Sequence, residues 1–152
     1  MKIAVISGYF NPIHGGHLDY ITEAAKLGDM LIVIVNNDNQ VKIKGSVPFM
    51  DQDQRLRIIK MLKPVTKAIL SIDEDGTVVK TLESIYTKYN FARGWTSKNT
   101  VSIVFANGGD RKLGNTPEEE FCKRVGIERA YNVGGGKTES SSDLIRKSNE
   151  QQ

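Results

Sequence analysis

Lys2-Ile3-Ala4-Val5-Ile6-Ser7 runs into Gly8-Tyr9-Phe10-Asn11-Pro12-Ile13-His14-Gly15-Gly16-His17, and this stretch decides the fold. Its first part is a short apolar run with no polar alternation, the pattern of a strand buried on both faces. Glycine, asparagine and proline then end the strand in a loop. From Gly16 to Lys26, Leu18, Ile21, Ala24 and Ala25 recur at helical spacing. Strand, glycine-rich loop and helix therefore follow one another.

The same alternation continues along the chain. Met30–Val35 reads as a second buried strand between Gly28-Asp29 and Asn36-Asn37. Gln52–Leu62 is a helix with Leu56, Ile59 and Leu62 inward, closed by Pro64. Lys67–Ile72 is a third strand, and Thr77–Tyr89 a helix carrying Val78, Leu82, Ile85 and Tyr89. Val101–Ala106 is a fourth strand. Pro117–Arg124 is a helix with proline in its first turn and glutamates behind it, which suit a helix N-terminus. Glu128–Asn132 is a short fifth strand and Ser142–Glu150 a final helix. The expected fold is α/β, a Rossmann-like parallel sheet of about five strands with helices on both faces. Arg93–Thr100 interrupts the pattern as a surface insertion, and Trp95 within it suits packing or a dimer contact.

At 152 residues the chain fits one domain, residues 1–147, followed by a polar tail, 148–152. Hydrophobic residues make up 39% and charged residues 26%, ordinary for a soluble globular protein. A net charge of +3 argues against a nucleic-acid binder with a broad basic face but allows a local phosphate pocket. The longest apolar run has six residues, Met30 to Val35, too few to span a membrane. A single cysteine, Cys122, excludes an intrachain disulfide and a cysteine-rich zinc site, so the expected setting is cytoplasmic.

Parallel sheets bind ligands beyond the carboxyl ends of their strands, where the strand order reverses. The loops to inspect are thus 8–15, 36–46, 73–76, 107–116 and 133–141. The first of them leads to both histidines of the chain, His14 and His17. Residues at i and i+3 share a helix face, so both imidazoles can point at one spot. The N–H groups and partial positive charge of a helix start suit phosphate. Gly15 and Gly16 carry no side chain to hold a phosphate off. Zinc fits less well, because such a pair needs further ligands. At the other end of the chain Ser140, Ser141 and Ser142 open the last helix, where hydroxyls can serve the helix or a phosphate.

Gly8-x-Phe10-Asn11-x-x-His14-x-Gly16-His17 resembles the G-x-F-D-x-x-H-x-G-H signature of the cytidylyltransferase-like nucleotidyltransferases. This family includes the glycerol-3-phosphate cytidylyltransferases and the adenylyltransferases that act on heptose 1-phosphate. The resemblance implies that His14 and His17 contact the phosphates of an NTP and stabilise charge as pyrophosphate leaves. It places Gly8, Tyr9, Phe10, Asn11 and Gly16 at the nucleotide. Ser140-Ser141-Ser142-Asp143-Leu144-Ile145-Arg146 is similar to the family's S-[ST]-T-x-x-[IV]-[KR] segment, which adds the serines and Arg146 to the nucleotide site. Lys44 matches a lysine that the heptose branch places near the phosphates, giving a third catalytic candidate. Asp53-Gln54-Arg55 resembles an E-x-R helix start and Asn107-Gly108-Gly109-Asp110 a K-G-G-D loop, so Asn37, Arg55, Gly109 and Asp110 are the acceptor candidates.

The implied reaction transfers CMP, or AMP, from an NTP to the phosphate of a small phosphorylated polyol, sugar or alcohol. Mg²⁺ would accompany the NTP, and relatives suggest a homodimer. An ATP-dependent enzyme of the heptose-phosphate type is one alternative. A nucleotide-binding regulator without turnover is another, drawing on Asn11 where the family has aspartate. An aminoacyl-tRNA synthetase fragment is disfavoured, since His14-Gly15-Gly16-His17 stands without a K-M-S-K-S segment.

Overall fold

The computed structural model describes residues 1–91, 101–109 and 116–135. They form a five-stranded, wholly parallel sheet of β1 (Lys2–Gly8), β2 (Met30–Val35), β3 (Lys67–Leu70), β4 (Ser102–Gly108) and β5 (Glu128–Val133), in the order β3-β2-β1-β4-β5. The helices are α1 (Gly15–Ala25), α2 (Asp38–Ile43), α3 (Gln52–Lys60), α4 (Val79–Phe91) and α5 (Glu119–Val125). The α/β, Rossmann-like fold is as the sequence implies.

The order dictates where the helices lie. The chain steps outward from β1 to β2 to β3, then returns past β1 to build β4 and β5 on the other side. Crossovers between parallel strands are right-handed, so reversing the direction of travel moves the connections to the opposite face. Accordingly Ile21 and Ala24 of α1 and Ile59 of α3 pack with Ala4, Ile6, Val33, Val35 and Val104. Leu82 and Ile85 of α4 and Phe121 and Cys122 of α5 pack with Ile3, Val5, Ile32, Ile34 and Phe105 on the other face. Successive strand residues serve alternate faces, which is why β1 and β2 need uninterrupted apolar runs.

Three details differ from the sequence reading. The loop expected over 36–46 contains α2, whose start is a reciprocal cap. Gln40 N donates to Asn37 Oδ1 at 2.9 Å, and Asn37 N donates to Gln40 Oε1 at 3.0 Å. Six residues are too few to show a helical period, but Asn-x-x-Gln was a readable signal. Leu18, expected inward, is 46% exposed because the first turn of α1 lies beyond the sheet's carboxyl edge. Helix α4 begins at Val79 rather than Thr77. Its first N–H groups are met from elsewhere: Val78 N by Glu118 Oε1, and Lys80 N and Thr81 N by the Asp73 carboxylate. The expected final helix and the insertion 93–100 lie outside the described residues.

No helix among the described residues is long and apolar enough to cross a membrane. Cys122 is buried on the core side of α5, and desolvation pushes its thiol up to about 11. The thiolate is the reactive form. Iodoacetamide at pH 8 should therefore leave the native protein unlabelled and modify Cys122 only in denaturant, as intact mass will show.

Candidate functional site

The carboxyl end of β1 passes directly into the histidine loop. His14 is the N-cap of α1, and its Nδ1 accepts from Gly16 N at 3.1 Å. His17 Nδ1 accepts in turn from His14 N at 3.2 Å. A ring nitrogen that accepts cannot carry the proton, so both neutral rings hold their hydrogen on Nε2. The rings stack with centroids 3.8 Å apart and planes 25° from parallel. Local backbone bonds thus set two imidazoles side by side in one tautomer at a helix start.

What lies under the loop explains its shape. Phe10 is 1% exposed with φ of 50°, and its ring meets His17 edge-on at 5.0 Å. A Cβ on Gly8 would stand 2.7 Å from that ring, so only glycine fits. Asn11, 5% exposed, holds the 47–49 segment at two points. Its Nδ2 donates to Val47 O at 3.0 Å, and its Oδ1 accepts from Phe49 N at 2.6 Å. Phe10 and Asn11, expected at the nucleotide, are buried supports of the loop. An aspartate at position 11 could accept from Phe49 but would oppose the Val47 carbonyl.

Arg55 requires a larger correction. Assigned to the acceptor phosphate, it is 1% exposed and bonded within the chain through all three of its nitrogens. Nε donates to Met50 O at 3.0 Å, and Nη1 to Tyr9 O at 2.8 Å and Asn36 O at 2.7 Å. Nη2 pairs with Asp38 Oδ1 at 2.7 Å. Asn37 is likewise committed, since its Nδ2 donates to Ser71 O and Asp73 O while its Oδ1 caps α2. Asn37 has no amide hydrogen left for a phosphate, and the Arg55 side chain is wholly buried. Lys44 is exposed at the end of α2 and reaches back, its Nζ 4.5 Å from the centre of the Tyr9 ring. The structure therefore brings Lys44 to Tyr9 and His14 to His17, two pairs that the first loop joins.

The loops after β4 and β5 approach the same helix. Tyr20 of α1 donates to Ala106 O at 2.5 Å, and its ring lies against Gly108. Gly134, with φ of 87°, sits so close that a Cβ would be 2.8 Å from the Tyr20 Cα. Gly109 also has positive φ, 62°. Oriented with its nitrogen toward them, the Asn132 amide joins Gly109 O (3.3 Å) to Gly135 O (3.2 Å). Chain leaving β5 is thus delivered beside α1. Asp110, Ser140, Ser141, Ser142 and Arg146 lie outside the described residues. Tyr20 and Asn132 were not singled out from sequence, as nothing in their spacing marks a contact across the sheet.

A groove of about 640 Å³ between α1 and β5 is lined in part by Asp19, Glu23, Tyr131 and Gly134. Its carboxylates would repel a polyphosphate, so the histidine loop is the better candidate. Among the described residues no three of His, Cys, Asp and Glu gather to hold a metal ion.

The family model described as "Cytidylyltransferase-like" matches residues 5–146. An FAD synthase of Thermoplasma acidophilum is 42% identical over 89 residues, 57% of this chain and 63% of that protein. An FAD synthase of Aciduliprofundum boonei is 31% identical over 128 residues, 84% of this chain and 74% of the relative. Over its strongest matches the chain spans about half to two thirds of the relatives' length. Among solved structures, a lipopolysaccharide core biosynthesis protein from Thermoplasma volcanium is 28% identical with a TM-score of 0.65, covering 86% of this chain and 93% of its own.

A lysine cannot reproduce the planar fork of Arg55. Arg55→Lys should lower the free energy of unfolding by about 3 kcal/mol or more in a urea titration, since it leaves buried oxygens without donors. Unchanged stability with weakened acceptor binding would instead return Arg55 to the ligand.

Proposed function

The chain belongs to the cytidylyltransferase-like family, and from that premise we propose that it transfers AMP from ATP to riboflavin 5′-phosphate, forming FAD and pyrophosphate. The name carried by the relatives supports both substrates. FAD is AMP joined, phosphate to phosphate, to a flavin whose phosphate sits on a ribityl chain. That acceptor is a flavin phosphate, and it replaces the small polyol, sugar or alcohol phosphate expected from the sequence motifs. ATP is accordingly favoured here over CTP.

The observation that carries the reading is the stacked histidine pair with both Nε2 protons defined by backbone donors. An oxygen of the acceptor phosphate attacks the α-phosphorus, and the bond from that phosphorus to the bridging oxygen breaks. Pyrophosphate leaves with the electron pair. The nucleophile is already an anion and needs no general base. Catalysis then rests on positioning and on stabilising the charge that develops on the leaving group. His14 and His17 supply donors at the helix start, and Lys44 a full positive charge from the end of α2. Ser140, Ser141, Ser142 and Arg146 remain the proposed partners of the triphosphate from the far end of the chain, with Gly109 and Asp110 proposed for the acceptor. Mg²⁺ would accompany the triphosphate and offset its charge.

His17→Asn keeps an acceptor at the δ position for His14 N and removes the Nε2 donor. It should lower kcat for FAD formation by about 10²–10³ with the melting temperature little changed. Pyrophosphate release measured with ATP or CTP, against riboflavin 5′-phosphate, glycerol 3-phosphate and heptose 1-phosphate, checks the pairing. Turnover only with CTP and another acceptor would replace this substrate assignment. Tight ATP binding without turnover on any acceptor would favour a regulator.

A further inference from the structure

Asn107 stands two residues beyond the Val5–Phe105 pair, at the carboxyl end of β4 and beside the end of β1. Between these strands the sheet order reverses, and there a parallel sheet opens its ligand crevice. The side chain is held from one direction. Arg129 Nη2 donates to Asn107 Oδ1, and also to Thr116 Oγ1 at 2.8 Å. A guanidinium has only donors, so the amide atom facing it must be the oxygen. The nitrogen is therefore turned away from Arg129, and no described residue accepts from it.

Arg129 is itself fixed. Its guanidinium carbon lies 5.2 Å from the centre of the Phe105 ring and 5.0 Å from that of Tyr131. Nε and Nη1 are buried with no hydrogen-bond partner. Leaving those donors unmet is costly. Contact with the two ring faces offsets part of that cost, and it confines the guanidinium to a position from which Nη2 meets Asn107.

We propose that Asn107 presents its Nδ2 hydrogens as a donor pair to an acceptor atom of a substrate in the β1/β4 crevice, and that Arg129 is the positioning residue that orients the amide. The atom recognised is an oxygen or unprotonated ring nitrogen, carried either by the nucleotide or by the flavin phosphate. The inference rests on the adenylyl-transfer reading for these two substrates, and separate binding measurements distinguish them.

Asn107→Asp preserves shape, strengthens the contact with Arg129 and replaces the donors by an anion. Dissociation constants for ATP, CTP and riboflavin 5′-phosphate, each alone, should show one ligand weakened at least tenfold, with the melting temperature kept or raised. Arg129→Lys should weaken the same ligand about three- to tenfold and have no added effect in the Asn107→Asp background, the non-additivity expected of coupled residues. Constants within twofold of wild type for every ligand in Asn107→Asp would overturn the proposal, as would additive effects on different ligands. If wild type binds a nucleotide yet makes no FAD, the reaction assignment fails, and the comparison still decides the role of Asn107 from that nucleotide.

Discussion

One buried cation holds the loops at the carboxyl edge of the sheet together. The Arg55 guanidinium gathers the carbonyls of Tyr9, Asn36 and Met50 and the carboxylate of Asp38. These belong to the histidine loop, the turn after β2, the approach to α3 and the first turn of α2. Backbone oxygens at the end of a parallel sheet have lost their ladder partners, and buried ones must find donors elsewhere. A residue with five fixed donors meets several at once. Loop 1 can then end in a well-defined helix cap, and the histidine geometry follows.

Around this knot the other buried polar side chains work in the same way. Gln40 donates to Asp75 O and Thr77 O, Asn37 ties α2 to the end of β3, and Asp73 caps α4. Asn11 extends the system to the 47–49 segment. This part of the carboxyl edge is thus a set of loops cross-linked by amides, the Asp73 carboxylate and the Arg55 guanidinium. The apolar clusters on the two faces of the sheet supply the platform beneath.

The fold was legible because hydrophobic period separates strands buried on both faces from amphipathic helices, and because handedness then limits the topology. The histidine pair was legible because spacing within one helical turn determines which side chains converge. Its tautomer was not, since that depends on which nitrogen meets which backbone N–H. Arg55, Asn37 and Asn11 were misread for a common reason. Their hydrogen-bonding groups suit a ligand and a loop equally well, and sequence does not say which oxygens will be stranded nearby. Asn11 was a suggested sign of lost turnover, yet its amide is used at both ends as a brace.

Asn11 and Asn107 also differ in their chemical lifetime. Asparagine deamidates when the next backbone nitrogen attacks the side-chain carbonyl. Asn11 precedes Pro12, whose nitrogen carries no hydrogen and cannot make that attack, so the brace under the histidine loop is protected from ageing. Asn107 precedes Gly108, the neighbour that hinders the attack least. Its carbonyl is held in the grip of Arg129. Slow loss of ammonia there closes a succinimide, and its hydrolysis by water leaves aspartate or isoaspartate, so age would put a carboxylate where the proposed donor stands.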